Sequence, residues 1–162
     1  MILLKVLCES VIGRREQIMF DSILVICVGN ICRSPTGERL LKQYLPEKKI
    51  SSAGLGAMVG KAADSSAIHI AELNGLSLDG HIAQQITKEM CREYSLLLVM
   101  EKKHIDAVCR ISPEVRGKTM LFGHWAGQRE VPDPYGKSNE AFEFVYSLLN
   151  ESAQKWAQAL NR

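Results

Sequence analysis

Cys27, Arg33 and Ser34 stand at a spacing that suits one kind of chemistry. The segment Cys27-Val28-Gly29-Asn30-Ile31-Cys32-Arg33-Ser34-Pro35 follows an apolar run, Ile23-Leu24-Val25-Ile26, and precedes a stretch that reads as a helix. The order is therefore strand, tight loop, helix. A cysteine closes the strand, an arginine follows six positions later, and a hydroxyl residue comes next. Such a loop can hold a phosphate against a thiolate, which points to phosphate-ester hydrolysis through a covalent phosphocysteine.

A thiolate attacks phosphorus only when ionised, so the site must favour the anion. Cys27 is placed beside a helix N-terminus, where unpaired backbone N–H groups attract negative charge. The amides of Val28, Gly29, Asn30, Ile31, Cys32 and Ser34 can cradle a phosphate dianion as a nest. Gly29 permits backbone angles that other residues avoid. Asn30 tolerates left-handed geometry and can tie the loop through its amide. Arg33 offers a planar fork that matches two phosphate oxygens and the charge that spreads over them during transfer. Ser34 can donate to the Cys27 sulfur, cap the helix, or do both. Pro35 fits a first helical turn. The bland alternative for Cys27 is a small core residue at a strand end.

A phosphate ester also needs a proton for its leaving oxygen. Asp133, in Val131-Pro132-Asp133-Pro134-Tyr135, is the candidate, because the flanking prolines restrict its backbone. It would act first as general acid and then as base toward the hydrolytic water. Read alone, the segment is a turn with a solvated aspartate. Tyr135 can line the mouth of the site or lie half-buried on the surface. No metal or cofactor is required, since the loop amides and Arg33 supply the positive field.

These residues need a scaffold, and the pattern along the chain is alternating. Strands are expected at Ile23–Val28, Lys49–Ala53, Leu96–Met100 and Thr119–Phe122. Helices are expected at Thr36–Leu45, from an Asp64 cap to Leu73, at Lys88–Tyr94 behind a Thr87 cap, and at Lys102–Cys109. A long terminal helix opens at Ser138, with Phe142, Val145, Tyr146, Leu149, Ala153, Trp156 and Leu160 on one face. The fold class is α/β: a single three-layer domain with a four-stranded parallel sheet in the order 2-1-3-4 and helices on both faces. Ligands in such sheets bind at the carboxyl ends of strands where the order reverses, which is the turn after strand 1.

The 162 residues suit one domain. A net charge of +2 argues against nucleic acid or a membrane surface as partner, and no apolar stretch is long enough to span a bilayer. The apolar run at Met1–Cys8 is short and interrupted by Lys5. Residues 1–18 are expected to be an N-terminal extension outside the fold, with the domain occupying 19–162. Five cysteines at spacings unlike a zinc site fit reduced thiols and a cytoplasmic location. Cys32 either guards Cys27 by forming a disulfide with it or simply packs in the loop.

The paired motifs, Cys27 to Pro35 and Asp133-Pro134-Tyr135, resemble those of the low-molecular-weight protein tyrosine phosphatases. Within that family, Ser52-Ala53-Gly54, Gly80-His81 and Gly123-His124-Trp125 make the chain similar to the enterobacterial enzymes of capsule and exopolysaccharide clusters, the Wzb type. The resemblance implies that Cys27 is the nucleophile, Arg33 the phosphate ligand and Asp133 the general acid. It further implies that Asn30, Ser34, Ser52 and His81 hold the loop in shape. Leu55 and Tyr135 match pocket-wall positions. Leu55 stands where eukaryotic members often carry an aromatic residue, and Gly136 replaces the second of two adjacent tyrosines found there. A less aromatic wall suits tyrosines on a flexible tail. The implied partner is a phosphotyrosine protein, the tyrosine-rich C-terminal tail of a membrane-bound tyrosine autokinase, without membrane insertion of this chain.

Three other readings remain open on the residues. Arsenate reduction uses a similar loop but needs resolving cysteines, and Cys91 and Cys109 lie on separate predicted helices. An arginine phosphatase has, by resemblance, a threonine where Ile31 stands. A phosphotyrosine-binding module would lack turnover, although every proposed catalytic group is present.

Overall fold

The computed structural model describes residues 20–161. The expectation for residues 1–18 lies outside the described residues. Four strands form one sheet: β1 (Ser22–Cys27), β2 (Lys49–Gly54), β3 (Leu96–Val99) and β4 (Thr119–Leu121), in the order β2-β1-β3-β4. All three pairings are parallel, so the chain must cross back between neighbouring strands through connections such as helices.

β1 is central, and all six of its residues are buried. A strand covered on both faces must be apolar on both, which is why its sequence runs rather than alternates. Ile23, Val25 and Cys27 face one core cluster, shared with α1 (Arg33–Tyr44), α2 (Ser65–Leu73) and α5 (Asn139–Leu160). Leu24 and Ile26 face a second cluster, shared with α3 (Lys88–Glu93), α4 (Lys102–Ile111) and a 3-10 turn at Pro113–Lys118. The three expected layers are therefore present. Burying one such leucine contributes about 1.5–3 kcal/mol, so this strand is an anchored platform for the loop that follows it.

Side chains cap three helices where the sequence placed them. Asp64 accepts from the amides of Ser66 and Ala67, Thr87 from Met90, and Ser138 from Ala141. On α5, Phe142, Val145, Leu149, Ala153 and Trp156 are buried, with Tyr146 and Leu160 packed at the margin. Trp156 Nε1 donates to the Phe122 carbonyl at 2.9 Å, which satisfies its one polar atom in the core.

Most element ends shift by one or two residues from the sequence reading, and one helix start and one extra turn differ more. α1 starts at Arg33, three residues before the expected Thr36, and its N-cap, Cys32, has no side-chain cap bond. Pro35 falls in the first turn, where a missing N–H costs nothing. This places Arg33 and Ser34 inside the helix, with first-turn amides that have no intrahelical partner. The 3-10 turn at Pro113–Lys118 has no counterpart in the expected element list.

Candidate active site

The carboxyl end of β1 delivers Cys27 to the switch point of the sheet. Residues 28–32 then turn back into α1. Asn30 takes a left-handed backbone angle, φ 57°, and is fully buried. Its side chain is saturated. Nδ2 donates to Ser34 Oγ at 2.8 Å and to Ser52 Oγ at 3.0 Å, while Oδ1 accepts from the Gln84 amide at 2.9 Å. Its backbone carbonyl meets His81 Nε2 at 2.6 Å. Because Ser34 Oγ already accepts from Asn30, its hydroxyl hydrogen is available to Cys27 Sγ, 2.9 Å away. Ser52 in turn donates to Glu38 Oε1 at 3.0 Å. A fully satisfied polar network of this kind fixes the loop shape.

β2 runs close beside the loop. Cys27 is in register with Gly54, and a Cβ on Gly54 would lie 2.3 Å from the Val28 carbonyl oxygen. Only glycine permits that approach. Beyond it, the amides of Leu55, Gly56 and Met58 donate to the carbonyls of Cys27, Val28 and Gly29 at 2.9 to 3.0 Å. Gln85 staples the same segment from outside, accepting from the Ala57 amide and donating to the Leu55 carbonyl, both at 2.9 Å.

The result is a cavity of about 210 Å³ lined by Cys27, Val28, Gly29, Ile31, Cys32, Arg33, Gly56, Met58, Asp133 and Tyr135. Eight sequence-predicted site residues thus share one cavity, while Asn30, Ser34, Ser52 and His81 form its backing. Leu55 does not line it. Leu55, expected at the pocket wall, is half-buried against the second core cluster, and the residues that line the cavity beside Cys27 are Gly56 and Met58.

Arg33 is 2% exposed and firmly held. Nη1 donates to Glu101 Oε2 and to the Val131 carbonyl, both at 2.9 Å, and Nη2 lies 3.6 Å from Asp133 Oδ2. Asp133 is half-exposed, and its Oδ1 accepts from the Tyr135 amide at 3.1 Å. A buried guanidinium with carboxylates on two sides presents its charge at a fixed point of the cavity. Cys32 is buried there, and desolvation pushes its thiol well above the usual cysteine range, reinforced by Asp64, so it remains protonated.

Sequence reasoning missed Glu101, Glu38, Met58 and the Val131 carbonyl. Glu101 had a usable signal, since a carboxylate just after β3 sits at the carboxyl edge where sites form. Glu38 had none, because its partner Ser52 is distant in sequence.

The model of the family described as low molecular weight phosphotyrosine protein phosphatase matches residues 22–162. The chain belongs to that family. A phosphatase of Erwinia amylovora, named as the probable low molecular weight protein-tyrosine-phosphatase AmsI, is 65% identical over 89% of this chain and 100% of its own length. The low molecular weight protein-tyrosine-phosphatase Wzb of Escherichia coli K12 is 62% identical over 88% of this chain and 97% of its own. The crystal structure of the Erwinia amylovora tyrosine phosphatase AmsI superposes with a TM-score of 0.87, covering 88% of this chain and 95% of that one. As a low molecular weight phosphatase, the chain is an enzyme, and the cavity at the switch point is its candidate active site. Among the described residues, no helix is long and apolar enough to cross a membrane.

Proposed function

We propose that this phosphatase hydrolyses phosphotyrosine in a protein substrate through a phosphocysteine intermediate. The observation that carries the reading is convergence: Cys27 and Arg33, at the two ends of one loop, and Asp133, from a distant segment, line one cavity. The Cys27 thiolate attacks phosphorus, forming the S–P bond as the P–O bond to the phenol breaks. Asp133 gives its proton to the departing phenolate oxygen. Water then attacks the phosphocysteine and loses a proton to Asp133, and the S–P bond breaks to release inorganic phosphate and regenerate the thiolate. Arg33 and the loop amides hold the charged equatorial oxygens throughout. Asn30, Ser34, Ser52 and His81 keep the loop in the shape this requires. No metal or cofactor enters these steps.

Val28, Ile31, Met58 and Tyr135 give the cavity an apolar rim that suits a phenyl ring. Val28, Met58 and Tyr135 are at least 40% exposed, so the mouth is open enough for a tyrosine on a flexible segment. With the resemblance to capsule and exopolysaccharide enzymes, this supports a cytoplasmic role on the tyrosine-rich tail of a membrane-bound autokinase. Deleting the gene should raise phosphorylation of that kinase and alter surface polysaccharide. The deciding experiment is phosphate release from matched phosphotyrosine, phosphoserine and phosphoarginine peptides, with Cys27→Ser as control. Release from phosphotyrosine alone, absent in the control, is the expected result. Preference for phosphoarginine would defeat this reading.

A further inference from the structure

We infer that His104 is a positioning residue for Arg33, acting through Glu101, and that it does so only as the neutral imidazole. The inference rests on the phosphate-binding role proposed for Arg33.

His104 is 2% exposed and sits in the first turn of α4. Its Nδ1 accepts from the Glu101 backbone amide at 3.2 Å, closing a capping box with an unusual member. A ring nitrogen that accepts carries no proton, so the hydrogen of the neutral ring is on Nε2. Nε2 lies 3.1 Å from Glu101 Oε2, the same oxygen that receives Arg33 Nη1 at 2.9 Å. The contact is close but off the line of a hydrogen bond, so Nε2 makes none, and what it offers Glu101 is the electrostatic attraction of a buried N–H dipole beside a carboxylate oxygen. If Glu101 swung out toward Lys103, 3.8 Å from its other oxygen, it would give up its bond to the Arg33 guanidinium and leave the buried Nε2–H with no carboxylate beside it. His104 therefore confines Glu101, and Glu101 confines Arg33.

The same geometry makes the device sensitive to acid. Protonation would put a hydrogen on Nδ1, which faces the Glu101 amide hydrogen, and would bury a second cation beside Arg33. Burial first, then Arg33, hold the titration of His104 below the ordinary 6.5. Lys103 acts in the same direction, and Glu101 and Glu130 oppose it. The neighbouring elements add little: β3 is uncharged, and β4 presents Thr119, Met120 and Leu121. In the 3-10 turn, Glu114 and Arg116 are paired with Arg92 and Asp106, and Lys118 is bound to the carbonyls of Arg92 and Tyr94.

Sulfate is the probe of choice, because it stays a dianion across the range where His104 titrates. Its affinity for the full chain is measured by calorimetry from about pH 5 to pH 8. Two variants separate the two ring nitrogens. His104→Asn keeps an acceptor near the Nδ1 position and loses the donor to Glu101. His104→Gln keeps a donor near the Nε2 position and loses the acceptor. For wild type, affinity should hold near neutrality and fall in acid. His104→Asn should bind several-fold more weakly at neutral pH, up to about tenfold, as the ring N–H dipole beside Glu101 is lost, and lack the His104 acid step. His104→Gln should bind within about twofold of wild type, again without that step. Wild-type affinity and wild-type acid dependence in His104→Asn would overturn the inference. So would equal weakening in both variants with the acid step retained, the mark of a merely structural role. Should His104→Asn not fold, His104→Gln decides alone by the presence or absence of the acid step. Turnover is not needed for this readout, so a chain that shows the sulfate pattern yet releases no phosphate from phosphotyrosine would defeat the phosphatase reading only.

Discussion

Cys27 and Asp133 have separable tasks in the proposed reaction, and their removal should fail in different ways. Cys27→Ser leaves Arg33, Asn30 and the loop amides in place, so inorganic phosphate should still bind by calorimetry while turnover disappears. Loss of binding along with turnover would mean that the sulfur also organises the loop, through its 2.9 Å contact with Ser34. Asp133→Ala removes the proton donor. General acid catalysis is worth about 10²–10⁴-fold, and it matters most where the leaving oxygen is basic. The variant should therefore lose most of its rate on phenyl phosphate and much less on an activated nitrophenyl ester. Equal losses on both would assign Asp133 to binding, where its 3.6 Å approach to Arg33 Nη2 also places it. Arg33→Lys should be severe, because one ammonium cannot meet Glu101, the Val131 carbonyl and the phosphate together. A variant with kcat/KM within tenfold of wild type would show that charge alone suffices.

At the scale of elements, the meeting of β2 with the loop is the tightest joint. At Gly54→Ala the new methyl would face the Val28 carbonyl at 2.3 Å and the Ala57 Cα at 3.0 Å, both backbone. Neither can move cheaply, so the variant should lose roughly 1–3 kcal/mol of stability. It should also lose phosphate affinity, since Val28 belongs to the cradle. A urea midpoint equal to wild type would show that β2 can retreat from the loop. Elements that speak through local chemistry were legible in the sequence: the apolar runs of β1 and β3, and the Asp64, Thr87 and Ser138 caps. Features set by partners far along the chain were not. The start of α1 has no side-chain cap to announce it, and the close approach of Gly54 to the Val28 carbonyl exists only once β2 pairs with β1. The lining residues from the loop after β1 and from the Asp133 segment could be named in advance because each lies inside one short motif. Glu38 could not, because Ser52 is brought to it only by the folded sheet, and Glu101 had only its place just after β3 to mark it.

For the whole molecule, buried titratable groups bound the pH range of stability. His104 in the folded chain titrates below 6.5, whereas the unfolded chain takes up a proton there near 6.5. Between those values the unfolded state holds more protons, so stability falls as pH drops through that window. Glu114 extends the loss further down. Its partners Ser112 and Arg92 hold it at about 2 against an ordinary 4.5, so its contribution is complete above 4.5 and fades toward 2. Because Glu114 and its partner Arg92 lie at the surface, salt should weaken this part. On the alkaline side, Cys32 and Cys91 are pushed up by burial from an ordinary 9.0. The unfolded chain releases those protons first, so stability falls as pH rises above about 9. Urea unfolding at closely spaced pH should thus trace a plateau from near neutrality to about 9, with no single group contributing more than about 1.4 kcal/mol per pH unit. In His104→Asn the plateau should extend further into acid, because the group that ends it is gone. If the variant's plateau ended where the wild type's does, His104 would not set the acid limit, and the coupling argued for Arg33 would lose its pH sensitivity as well.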